Sequence, residues 1–140
     1  MLILDKLNRR EVMAILIVDD EVDTVEELVE LLQFRGLAVY GATRPEDALR
    51  MVLDDPEIDS VVIDVRMPGM SGVELISQLQ AALPDARPMR FFVATGHAYR
   101  SDLGLGDDGV SIDGFFTKPL DVNGLIAALT AATNPRWVSR

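Results

Sequence analysis

Ala14-Ile15-Leu16-Ile17-Val18 is an unbroken run of aliphatic residues, four of the five large or β-branched, that stops abruptly at Asp19-Asp20. A run of that length with no polar alternation fits a strand covered on both faces, as in a parallel sheet. Val22, Val25, Leu28, Val29 and Leu32 then recur at helical spacing, and Gly36 supplies a left-handed stop. Together they make one βα unit, and the chain repeats the alternation. Leu37 to Tyr40 reads as a second strand. Thr43-Arg44-Pro45-Glu46 follows, with Thr and Glu at capping-box spacing and Pro in the first turn of a helix reaching about Leu53.

Ser60-Val61-Val62-Ile63-Asp64 is the third strand, apolar until it ends in a carboxylate. Ser71-Gly72-Val73-Glu74 repeats the capping-box spacing and opens a helix striped by Leu75, Ile76, Leu79 and Leu83, with Pro84 closing it. Arg90 to Thr95 and Gly114 to Lys118 are the fourth and fifth strands, and Asp121 caps a last helix carrying Leu125, Ile126 and Leu129. Between those two strands Gly104, Gly106 and Gly109 each cost about 1 kcal/mol in a helix interior, which predicts a short or distorted fourth helix. Along the fifth strand, alternation expects one of Phe115 and Phe116 in the core and the other outward. Met67, Met70 and Met89 read as gap-filling apolar residues.

At 140 residues, without repeats or a Ser/Gly/Pro linker, the chain reads as one domain over 14–134, with an extension at 1–13 and a tail at 135–140. Its 49% apolar content is too high for intrinsic disorder. A net charge of -10 argues against direct nucleic-acid binding and against anionic membrane surfaces. With no cysteine, thiolate metal sites and cysteine nucleophiles are excluded. The apolar start meets Asp5 after four residues, far short of the roughly 20 a membrane span needs, so a cytoplasmic location is the expectation.

Five βα units imply right-handed crossovers and a parallel sheet covered on both faces, with sites at the carboxyl ends of strands. Asp19, Asp20, Asp64, Thr95 and Lys118 all fall there. Clustered carboxylates repel unless a cation sits among them, and an all-oxygen set suits Mg, which joins carboxylates to phosphate oxygens. Only two of the 13 basic residues, Lys6 and Lys118, are lysine, so a lysine at a strand end suggests a use for a compact charge. The set suits phosphoryl transfer to an aspartate, with Asp64 the nucleophile because it stands alone at the end of a central strand.

These residues resemble the receiver domain of bacterial two-component response regulators. The resemblance spans Ala14 to Ala132 and rests on Val18-Asp19-Asp20-Glu21, on Asp64 through Gly72, on Ala94-Thr95-Gly96 and on Lys118-Pro119, in order at successive strand ends. It implies a single flavodoxin-like (βα)5 doubly wound sheet of order 2-1-3-4-5. By match it implies Asp64 as phosphoacceptor, Asp20 and Asp64 as direct Mg ligands, Asp19 as a ligand through water and Arg66 as a ligand through its carbonyl. Thr95 and Lys118 match the phosphoryl-binding hydroxyl and ammonium, Thr95 and Phe115 the switch pair, and Lys118-Pro119 a cis bond. Arg66 and His97 match positions that modulate acyl-phosphate lifetime, although on the residues alone His97 is simply a loop residue.

The implied function is a phosphoacceptor signalling domain, not an enzyme beyond self-catalysed phosphoryl transfer and slow autodephosphorylation. Its partners would be a histidine kinase or phosphotransfer protein, plus a downstream protein or an effector domain beyond this chain, with a homodimer left open. The alternative is a Mg-dependent aspartyl-nucleophile phosphatase, but that class needs Asp-x-Asp and the chain has Asp64-Val65-Arg66. A nucleotide carrier of flavodoxin type is disfavoured because Asp19-Asp20-Glu21 would repel a phosphate. Residues 1–12 lie outside the resemblance, and the glycine-rich stretch departs from the family's usual output face.

Overall fold

The Ala14–Val18 run is the most enclosed strand of the sheet, with all five residues at most 1% exposed. A computed structural model describes residues 12–96 and 111–131 of the chain. The strands are β1 (Ala14–Val18), β2 (Val39–Ala42), β3 (Ile58–Asp64), β4 (Arg90–Thr95) and β5 (Gly114–Thr117). The helices among the described residues are α1 (Val22–Phe34), α2 (Pro45–Asp54), α3 (Gly72–Ala82) and α4 (Val122–Thr130). All strand pairs are parallel, in the order β2-β1-β3-β4-β5. None of the described helices is long and apolar enough to cross a membrane.

Strand alternation divides the core into two layers. Leu16, Val18, Val61, Ile63, Phe91 and Val93 face α2 and α3, packing on Ala48, Val52, Leu75, Ile76 and Leu79. Ile15, Ile17, Val62, Phe92 and Ala94 face the opposite way, onto Leu28 and Leu32 of α1 and Leu125 and Leu129 of α4. Each fully buried Leu or Ile contributes roughly 1.5–3 kcal/mol, which is why neither face accepts a charge. Met67, Met70 and Met89 all join the α2/α3 layer. Phe115 and Phe116 depart from the sequence expectation that one faces outward. Phe115 packs into the α2/α3 layer, while Phe116 packs into the other, 6.4 Å from Phe92 between ring centroids. Each ring finds an apolar layer on its own side of the edge strand, so both are partly buried.

The second strand begins two residues later than its apolar pattern suggests. Gly36 (φ +87°) ends α1, with Gly36 N–H donating to Gln33 O and Leu37 N–H to Leu32 O. This paired closure occupies Leu37 in the turn, so β2 pairs only from Val39, opposite Ile15. The expected Thr43–Glu46 capping box does not form: Arg44 is the N-cap, without a side-chain capping bond, and its guanidinium pairs with Glu46 instead. Pro45 holds the preceding residue extended (φ -134°, ψ 137°), so the helix starts at the proline and Thr43 stands too early to cap it. Asp121 occupies the N-cap of α4 but likewise makes no side-chain capping bond. Ser71 does cap α3, its hydroxyl accepting from Glu74 N–H at 3.1 Å. The glycine-rich segment expected to form a short helix lies outside the described residues.

At the amino-terminal edge of the sheet a guanidinium binds three carbonyls of the connection between α2 and β3. Arg87 donates to Val52 O (2.7 Å), Asp55 O (2.7 Å) and Ile58 O (3.0 Å), joining the end of α2 to the start of β3. Beside it Asp113 accepts from Phe91 N–H (2.8 Å) and donates its own N–H to Phe91 O (2.7 Å), which aligns β5 on β4. Hydrogen bonds from a charged donor contribute about 1.5–3 kcal/mol each and do not add simply. Arg87→Ala should lower the unfolding free energy by about 2–3 kcal/mol, and Arg87→Lys should recover only part of it, since an ammonium lacks the planar fork. Urea unfolding checks this as a lower midpoint at unchanged slope.

Candidate functional site

Parallel pairing sets the strand ends level with one another. Val18 pairs with Ile63, so Asp19 follows β1 where Asp64 ends β3. Asp64 pairs with Ala94, which puts Thr95 one residue further, and Thr95 pairs with Thr117, which puts Lys118 at the mouth of β5. The structure thus gathers five residues singled out in the sequence: Asp19, Asp20, Asp64, Thr95 and Lys118. Asp19, Asp64 and Thr95 are buried, Lys118 is partly buried and Asp20 is exposed. Lys118 N–H donates to Thr95 O (2.8 Å), and the Lys118–Pro119 peptide is cis, as the resemblance implied. His97 lies outside the described residues.

Bonding differs between the two buried carboxylates. Asp19 Oδ1 accepts from Glu21 N–H at 3.0 Å and Oδ2 from Lys118 Nζ at 2.7 Å, so both oxygens are engaged. Asp64 is held more loosely, with Oδ1 accepting from Arg66 N–H at 3.3 Å and Oδ2 standing 3.5 Å from Lys118 Nζ. Burial, and then the neighbouring Asp19 charge, push the Asp64 carboxyl above its usual range, opposed by Lys118 and the Arg66 amide. Burial alone would lower the Lys118 ammonium, but its bond to Asp19 and the charges of Asp64 and Asp19 hold it above its ordinary value. The Glu21 amide was missed in the sequence, although Asp followed two residues later by a turn amide is the pattern of an Asx turn.

One carboxylate oxygen from each of Asp19, Asp20 and Asp64 lies within 4.8 Å of the other two. Lys118 offsets only one of three negative charges, and the donors are all oxygen. A hard divalent cation therefore fits this set in both charge and chemistry. Arg66, two residues past Asp64 with its side chain exposed, stands at the rim.

Compared with known proteins, residues 15–130 match the profile of the response regulator receiver domain. This chain belongs to the response regulator receiver family. The transcriptional regulatory protein FixJ of Azorhizobium caulinodans is 34% identical to this receiver over 120 residues, covering 83% of this chain and 53% of that protein. The receiver spans about half or less of the length of the curated relatives it matches. A receiver domain protein from Clostridium thermocellum superimposes with a TM-score of 0.73 at 26% identity, over 83% of this chain and 90% of that one. A response regulator protein from Burkholderia pseudomallei, whose crystal structure holds a phosphorylated aspartic acid, calcium ion and citrate, superimposes with a TM-score of 0.72 at 29% identity, over 90% of this chain and 70% of that one.

A raised carboxyl pKa has a definite sign for stability. Because folding raises the Asp64 pKa, the folded receiver holds a proton that the unfolded chain has already released. The contribution of Asp64 to stability is therefore greatest below the unfolded value of about 3.9, falls as pH rises into the folded value, and stays lower above it. Asp64→Asn should raise the melting temperature by a few degrees at pH 7, and the gain should shrink as pH falls into the carboxylate range, where the wild-type group is protonated. Thermal unfolding of the metal-free protein at both pH values checks this.

Proposed function

We propose that this receiver accepts a phosphoryl group on Asp64, from a histidine kinase or phosphotransfer protein, and thereby switches a protein-interaction surface. The observation that carries the reading is the unequal bonding of the two buried carboxylates. Asp19 has both oxygens committed to short bonds, whereas Asp64 has only long ones and an environment that disfavours its charge. Converting its carboxylate to an acyl phosphate moves that charge onto phosphoryl oxygens that Lys118 can reach. The phosphorylated aspartic acid in the Burkholderia pseudomallei structure supports the same reading.

In the transfer, an Asp64 oxygen bonds to phosphorus as the phosphorus–nitrogen bond of a phosphohistidine breaks, and the bonding electron pair leaves with the imidazole. Lys118, already 3.5 Å from Asp64, pairs with a phosphoryl oxygen, and the Thr95 hydroxyl donates to another. Asp20 and Asp64 would hold Mg directly, Asp19 through water and Arg66 through its carbonyl; Mg supplies charge neutralisation at the phosphoryl oxygens. Water-mediated ligation suits Asp19, whose oxygens are both in use. Once Thr95 turns toward the phosphoryl group, Phe115, two residues before their shared edge at Thr117, rotates into the space it leaves and carries the change to the surface. Arg66 and His97 would tune the lifetime of the acyl phosphate. The downstream partner is a separate protein or an effector domain, as the length of the relatives allows.

Incubation with acetyl phosphate and Mg, followed by intact-mass measurement, should show one phosphoryl group on the wild-type chain and none on Asp64→Ala. Addition that persists in Asp64→Ala would remove Asp64 from the role. Sustained turnover of small phosphomonoesters would favour the phosphatase alternative. Asp20→Ala should fold normally yet label about a hundredfold more slowly, the equivalent of roughly 3 kcal/mol of lost charge stabilisation, as should the wild type in excess chelator.

A further inference from the structure

α3 begins directly against the main chain of the residue that ends β3. Gly72 N–H donates to Val65 O at 2.8 Å, and the glycine is buried. A Cβ at position 72 would stand 2.5 Å from Asp64 O, 2.7 Å from Ile63 Cγ2 and 3.0 Å from Val65 Cα. The Ile63 methyl belongs to a side chain, but the other two atoms are backbone and cannot rotate aside. Ordinary carbon contacts begin about an ångström further out than the contact with Asp64 O. Gly72 does not have a positive φ, so what the position requires is space rather than conformational freedom. Gly69, three residues earlier in the same loop, is the converse: its φ is +87°, and a Cβ there would meet nothing within 4 Å.

We propose that Gly72 is a positioning residue for phosphoryl transfer, its missing side chain letting α3 seat flush on the Asp64 backbone and hold that carboxylate in line with Asp19 and Lys118. The inference rests on the reading of Asp64 as the acceptor. α3 cannot easily retreat from an added methyl. Leu75, Ile76 and Leu79 are fully buried on the sheet and Ser71 caps the first turn, so the helix is anchored within one turn of the contact. Much of the displacement therefore falls on the end of β3. There Asp64 holds its bond to the Arg66 amide at 3.3 Å and its approach to Lys118 at 3.5 Å, distances with little margin. Misplacing a reacting group by about an ångström can cost a hundredfold in rate.

The test compares wild type, Gly72→Ala and Gly69→Ala, measuring phosphorylation by acetyl phosphate against donor concentration well below each melting temperature. Gly72→Ala should lose about a hundredfold in maximal rate, while the half-saturating donor concentration moves less than about threefold. Gly69→Ala, strained by its positive φ but with a Cβ that meets nothing within 4 Å, should lose stability and keep its rate within about twofold. Carbon-detected NMR of the Asp64 carboxyl adds a readout that general destabilisation leaves alone: its titration midpoint should move in Gly72→Ala and stay in Gly69→Ala. If Gly72→Ala is poorly folded, the same comparison is made in an excluded osmolyte that restores the folded state. A Gly72→Ala protein with the wild-type rate, or equal slowing in Gly69→Ala, overturns the inference while leaving Asp64 as acceptor. A wild-type chain that takes no phosphoryl group overturns the acceptor reading instead.

Discussion

One ammonium stands between two buried carboxylates, and the carboxyl edge of the sheet is organised around that imbalance. Lys118 Nζ makes a tight pair with Asp19 and a looser one with Asp64, and a third acid, Asp20, adds its charge from the surface. Desolvated like charges are tolerated only where something else in the protein holds them there. Here that support is the parallel register, which makes neighbouring strands end level, and the two apolar layers that enforce it. The edge is left short of positive charge, and a divalent cation is the kind of ligand that relieves such a deficit.

The layers themselves follow from a strict division of labour along each strand. Along the buried stretches 15–18, 61–63 and 91–94, alternate positions go to opposite helical covers, and the charged residues of these strands, Asp59, Asp64 and Arg90, stand outside them. The first polar residue after each apolar run therefore marks where the sheet meets solvent. That is why the architecture and the cluster Asp19, Asp20, Asp64, Thr95 and Lys118 were legible in the residues: in a doubly covered sheet the end of burial and the start of chemistry are the same position. The Ser71 cap was legible for a similar reason, because a hydroxyl three residues before a glutamate amide acts locally.

What could not be read depended on contacts between distant segments or on competition between local rules. β2 is short and at the sheet edge, and Leu37, apolar enough for a strand, is claimed by the turn that closes α1. Thr43 and Glu46 have the right spacing for a cap, but Pro45 restricts Arg44 and wins. Phe115 and Phe116 alternate as expected, yet whether the second face is wet depends on how α4 lies over it. Arg87 bonds to carbonyls 29 to 35 residues away, and nothing beside it in the chain announces them. Gly72 reads only as a first-turn residue behind the Ser71 cap; its crowding appears only when α3 is set against β3.

The anchoring by Arg87 and Asp113 at the opposite edge gives the molecule a mechanical polarity. Backbone bonds from these two side chains clamp the amino ends of β3, β4 and β5, at the far end of the strands from the acidic cluster. Loops at the chemical edge can therefore be exchanged or recharged without disturbing what keeps the strands in register. A scaffold of this kind can diversify its partners and reaction rates through one set of loops while its folding is inherited through the other.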